Sequence, residues 1–191
     1  RDRAIVAFTL LTCARVDAIA SFSLKHVDLA DRNVFQDARH VRTKNRKTFT
    51  TFFFPVGDDV EGIVCDWVGH LKEMLMFGPD DPLFPATKTG LTNSGLFGAL
   101  GLSRSHCKSG AAIRQIFQAA FEAAGLPYAH PHSFRDTITH LGETLCRTPE
   151  EFKAWSQNAG HERVMTTFTS YGEVATKRQG EVIAALKDEP E

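Results

Sequence analysis

Along the first 24 residues apolar side chains recur at three- and four-residue intervals, first in "DRAIVAFTLLTCA" and again in "VDAIASFSL", so the spacing predicts two helices broken near Arg15. The next stretch, "NVFQDARHVRTKNRKTFTTFFFPV", changes character. β-Branched and aromatic residues flank a polar break at "TKNRK" and then alternate up to Pro55, the pattern of a small antiparallel sheet. Helical periodicity returns over residues 58 to 77. "GPDDPLFPATKTGLTNSG" is dense in Gly, Pro, Asp and Asn and is expected to form a long surface loop. "SGAAIRQIFQAAFEAAG" is the clearest amphipathic helix, with Ser109 as its N-cap and Gly125 as its stop. Three further helices are expected around 132 to 146, 149 to 158 and 173 to 187. The pattern predicts a mainly α fold with a small antiparallel β-sheet, an α+β arrangement without internal repeats.

The chain has 191 residues, 42% of them hydrophobic and 24% charged, which suits one domain over residues 1–191 with a single good core. It has no apolar run long enough to span a bilayer and no charged-then-apolar leader, so neither membrane insertion nor export is expected. Cys13, Cys65, Cys107 and Cys146 lie far apart without a C-x-x-C pair and are expected to be reduced thiols, as in the cytoplasm. The formal net charge of -1 gives no global argument for a nucleic-acid partner. Local patches do. Arg39, Arg42, Lys44, Arg46 and Lys47 make one dense cluster, and Arg104, Lys108 and Arg114 offer a second, either able to follow a phosphate backbone.

The densest chemistry sits in "HPHSFRDTITH", residues 130 to 140. His130, His132 and His140 suggest a metal site, but their spacing across Pro131 and along a helix makes a poor closed shell, and no H-E-x-x-H or C-x-x-C pattern completes it. No metal and no cofactor are expected. The ordinary alternative is a helix started by Pro131, with Ser133 in its first turn and the histidines merely solvated. His132 and Arg135 change that balance, because residues three apart share a helix face and present an imidazole and a guanidinium to one anion.

The segment "HPHSFRDTITHLGE" resembles the H-x-x-R box of tyrosine recombinases, the phage-integrase-like enzymes, and further pieces occur in that family's order. "LLTCARVDAIASFSLKHVDL" resembles the first arginine box and offers Arg15. "VRTKNRKTFTTFFFPV" resembles the β-hairpin with the catalytic lysine and offers Lys44, with Lys47 as its rival. "AGHERVMTTFTSYGEV" resembles the final box and offers His161 and Tyr171. There are departures: Asp17 follows Arg15 by two positions where the family has an acid after three, Cys13 stands where glycine is common, and the interval from His161 to Tyr171 is one residue longer than usual. Taken singly, each residue has an ordinary reading, such as Arg15 paired with Asp17 or Tyr171 packed in the core. The ordered conjunction favours the family.

The resemblance implies a tyrosine-recombinase catalytic-domain-like fold whose N-terminal DNA-clamping domain is absent from residues 1–191. It implies a metal-independent, site-specific DNA recombinase that cleaves and rejoins strands through a 3′-phosphotyrosyl intermediate, with Tyr171 as nucleophile. Arg15 and Arg135 would hold the non-bridging oxygens, His161 would donate to the same phosphate, Lys44 would protonate the leaving 5′-oxygen and His132 would move the tyrosine's proton. Arg39, Arg42, Arg46 and Lys47 would bind DNA. The implied partner is double-stranded DNA, and the implied assembly is a homo-tetramer formed on it by exchange of C-terminal tails, with the isolated domain monomeric. Such a protein would be bacterial or phage-encoded and nucleoid-associated in the cytoplasm. A type IB topoisomerase-like enzyme and a non-catalytic DNA-binding remnant are the alternatives.

Overall fold

The computed structural model describes residues 1–161 and 175–185. The chain opens with α1 (Asp2–Thr12) and the single turn α2 (Val16–Ile19), broken at residues 13 to 15 as the spacing predicts. The second helix is shorter than expected: after Ile19 the chain turns and enters a short 3-10 turn at Leu24–His26. Strands β1 (Val27–Asp28), β2 (Asn33–Gln36) and β3 (Phe49–Phe52) form an antiparallel sheet in that order, with Val34 opposite Val27 on one side and Thr51 on the other. The polar break between β2 and β3 becomes a tight turn at Lys44–Arg46, with Asn45 and Arg46 at positive φ.

Helix α3 (Asp58–Gly69) runs on into a wider π turn at His70–Met74. Next comes a larger departure from the sequence pattern. The expected loop holds β4 (Pro85–Leu91), which pairs antiparallel with β5 (Phe97–His106) in a hairpin closed by a turn around Gly95. Most side chains of both strands are exposed, so no apolar alternation marks them, and backbone hydrogen bonds that leave no trace in the sequence make the ladder. Four helices follow: α4 (Gly110–Ala123), α5 (Pro131–Leu145), α6 (Pro149–Asn158) and α7 (Thr176–Ala185). The Ser109 hydroxyl accepts from the Ala111 amide, and Gly125, at φ 66°, ends α4.

Two apolar clusters hold these pieces. In the larger, the Phe8 ring on α1 meets Phe22 and Phe84 edge-on, at centroid distances of 5.5 and 5.2 Å, while α3 contributes Val64, Trp67 and Val68 and α4 contributes Ile113 and Phe117. The smaller cluster joins Cys13, Phe54, Ile138 and Ala159 beneath the partly buried Trp155 ring, and so ties the end of α1 to α5 and α6. Among the described residues no helix is long and apolar enough to cross a membrane.

Phe8 is fully buried at the junction of α1 with the two other rings, so Phe8→Ala should lower the unfolding free energy by about 3–5 kcal/mol. Urea titration checks this; a loss under 1 kcal/mol would mean that the core is not built around that ring.

Candidate active site

Helix α1 ends in an unusual way. Cys13 adopts φ 55° and ψ 21°, in the left-handed region, while its amide donates back to the Thr9 carbonyl. That reversal sends Arg15 off the helix axis and leaves the Cys13 carbonyl facing α5. Arg135 takes it: one terminal nitrogen of the guanidinium donates to the Cys13 carbonyl and the other to the Ala159 carbonyl, the latter at 2.7 Å. The side chain is almost fully buried. Of its five N–H groups two serve these carbonyls, and among the described residues no other acceptor takes the remaining three.

Helix α5 begins at Pro131, whose fixed φ and missing N–H suit the first helical position. His130 caps it, its Nδ1 accepting from the His132 amide at 3.2 Å, and the Ser133 hydroxyl donates to the His130 carbonyl. His132 and Arg135 then share a face.

His161 is positioned from the other side. A Thr148–Glu151 capping box opens α6, and the helix closes with paired bonds from the Gly160 amide to the Gln157 carbonyl and from the His161 amide to the Ser156 carbonyl. Gly160 has φ 70°, and a Cβ there would stand 2.8 Å from the Phe49 ring, so glycine is required twice over. The Asn158 side chain docks the helix on β3, accepting from the Phe52 amide and donating to its carbonyl at 2.7 and 2.9 Å.

Arg15, His132 and Arg135 line one cavity of about 420 Å³, together with Asp17, Arg114 and His130. His161 stands at the edge of a larger, mostly apolar groove of about 970 Å³ between β3 and α6, yet it feels the cationic cavity. Its pKa is pushed down to about 4, chiefly by burial and then by the charges of Arg135, Arg15 and His132. At neutral pH His161 is therefore an uncharged imidazole with one N–H to donate. The site is metal-poor in its donors: among the described residues no three His, Cys, Asp or Glu side chains gather as ligands, and His140 pairs instead with Glu143 at 2.9 Å.

The remaining expected residues lie elsewhere. Lys44 is exposed on its turn and is not among the residues lining the cavity. Arg46 is exposed beside it, and Lys47 lies over the Phe49 ring, 5.9 Å from its centroid. Arg39 grips Asp37 through Nε and a terminal nitrogen and holds that carboxyl well below the usual range. Arg42 is a clasp, donating to the carbonyls of Asp17, Cys107 and Lys108. Of the second basic cluster, Arg104 folds back on the Leu75 and Met76 carbonyls and the Phe77 ring, whereas Arg114 joins the cavity. Tyr128 is half-exposed against Phe121, and Tyr171 lies outside the described residues. Spacing alone had grouped Arg114 with Arg104; the signal that separates them is Gly110, the small residue that lets α4 approach α2.

No protein-family model and no curated protein sequence matches the chain. Solved structures do match. XerA recombinase superposes with a TM-score of 0.61 at 18% identity, over 99% of this chain and 58% of that one. Two structures of the Tn1549 transposon integrase with circular intermediate DNA give TM-scores of 0.59 and 0.58 at 14% and 16% identity, over 95% and 96% of this chain and 57% and 59% of theirs. The fold is that of a tyrosine-recombinase catalytic domain, α+β with small antiparallel sheets. The chain spans less than three fifths of the length of these proteins.

Arg15→Ala removes one of the charges that oppose protonation of His161, so the imidazole pKa should rise from about 4 toward its ordinary 6.5. NMR titration of the ring protons reads this directly. An unchanged pKa would place Arg15 too far away to share a ligand with His161.

Proposed function

We propose that this chain is the catalytic domain of a site-specific DNA recombinase of the integrase kind. The observation that carries the reading is the convergence of Arg15, His132 and Arg135 on one cavity, with His161 close enough for their charges to depress its pKa. All four are cationic or proton-carrying groups, a lining suited to a phosphodiester.

In this reading the Tyr171 oxygen attacks phosphorus, forming a Tyr–O–P bond while the P–O5′ bond breaks, so that the strand's energy is stored as a 3′-phosphotyrosyl ester and a free 5′-hydroxyl. Rejoining reverses both bonds. Negative charge grows on the non-bridging oxygens, where Arg15 and the three remaining N–H groups of Arg135 bind it and neutral His161 donates one more hydrogen bond. His132 accepts the tyrosine's proton, and Lys44, carried in on its turn when DNA is bound, delivers a proton to the leaving oxygen, with Lys47 as the alternative donor. No metal is needed, because the guanidinium groups supply the positive charge. Arg46 and Lys47 follow the DNA backbone, while Arg39 and Arg42 brace the segment that presents them. On DNA the domain assembles as a tetramer through its C-terminal tail, in which Ile183 of α7 is an exposed apolar side chain. It works in the cytoplasm, on nucleoid DNA.

The test uses nicked duplexes drawn from a random-sequence library, on which cleavage is trapped, in the presence of a chelator. The wild-type chain should form a denaturant-resistant adduct and Tyr171→Phe none. Arg15→Ala should slow adduct formation about 100- to 1,000-fold. Arg135→Ala should do the same and also destabilise the fold by about 1–3 kcal/mol for each carbonyl left without its donor. An adduct from Tyr171→Phe, or one that vanishes in chelator, would contradict the proposal.

A further inference from the structure

Resting on the reading that Arg15, His132 and Arg135 hold one backbone phosphate, we propose that Arg114 and His130 form an adjoining subsite for the neighbouring phosphodiester of the same DNA strand.

Placement comes first. Helix α4 packs on α2 so closely that a Cβ on Gly110 would stand 2.7 Å from the Val16 side chain and 2.8 Å from the Asp17 carboxylate. The Gly110 amide donates to that carboxylate at 2.9 Å. Arg114, one turn further on, lies on the same face of α4, so the close approach that glycine permits delivers its guanidinium to the cavity of Arg15. Asp17 is the single carboxylate in this lining, and its Oδ1 already accepts from Gly110.

Availability comes second. Arg39, Arg42 and Arg104 are engaged by protein acceptors, and Arg135 has given two donors to carbonyls. Arg114 is exposed, and among the described residues no hydrogen bond or ion pair engages it. Three guanidinium groups against the one Asp17 carboxylate leave the cavity with excess positive charge, which an anion offsets. His130 adds a ring donor. Its Nδ1 accepts from the His132 amide, which leaves Nε2 to carry the donating proton, and the ring lies nearly parallel to that of His132, at 19° and 6.2 Å between centroids.

Size comes third. At about 420 Å³ the cavity has room for roughly a dozen water molecules, far more than one phosphate fills. A DNA strand brings one phosphate for about every 3.4 Å of helix axis, so a strand seated at Arg15 carries a second charge into the same space.

The experiment measures duplex binding against salt at pH 7.5, using a short duplex of arbitrary sequence. Each phosphate contact removed should flatten the plot of log affinity against log salt by about 0.9. Arg15→Ala and Arg114→Ala should each flatten it by about that amount, and the double variant by about twice as much, because two phosphates are lost. Arg114→Lys should keep the wild-type slope, Arg104→Ala should leave it unchanged, and His130→Asn, which retains an N-cap acceptor, should weaken binding without altering it. If the double variant loses no more than either single one, both arginines share one phosphate and the subsite does not exist. A wild-type slope for Arg114→Ala, or an equal effect from Arg104→Ala, would overturn it as well. Adduct formation by the wild type tells the readings apart: adduct with an unchanged Arg114→Ala slope defeats the subsite alone, while additive slopes without adduct defeat the catalytic reading alone.

Discussion

A buried guanidinium is costly unless it is hydrogen-bonded, and the site depends on the two carbonyls that Arg135 takes. Its two terminal nitrogens donate to the carbonyls of Cys13 and Ala159, which belong to the last turns of α1 and α6. One side chain thereby fastens together the three segments that carry Arg15, His132 and His161. The same side chain also lines the cavity shared with Arg15 and His132. Loss of this one side chain would leave both carbonyls without their donor and loosen the three segments it joins.

The supporting details follow from that knot. For the Cys13 carbonyl to turn toward α5, the chain must leave α1 through the left-handed region, at some cost for a residue with a side chain. The buried thiol gains packing against Phe54, Ile138 and Ala159 in return. Gly160 solves the matching problem at the end of α6 with no side chain at all. Between them, two helix termini and one arginine set the geometry, and the low polarity of the surroundings keeps His161 neutral among positive neighbours. Such a site is electrostatically unfinished without an anion.

Much of this was legible in the chain. Apolar spacing located α1, α3 and α4, Ser109 and Gly125 marked the bounds of α4, and His132 with Arg135 announced a shared face. The β4–β5 hairpin was hidden, because exposed strands rich in glycine carry turn-like residues and no alternation. Site residues were legible as types but less so as placements. Nothing in "RHVRTKNRK" distinguishes Arg42, which clasps three carbonyls, from Arg46, which stays exposed; that difference is set by backbone groups 25 to 66 residues away. Arg114 was likewise misgrouped by proximity in sequence, and only the contact at Gly110 assigns it to the cavity.

The most direct measurement is the pKa of His161 with and without bound duplex DNA, followed by NMR of the imidazole. If a backbone phosphate sits among Arg15, His132 and Arg135, its charge offsets theirs and the pKa climbs well above the value of about 4 held by the DNA-free protein. A pKa that stays where it was in a saturated complex would mean that DNA binds elsewhere, and the cationic cavity would not be the place where the strand is cut.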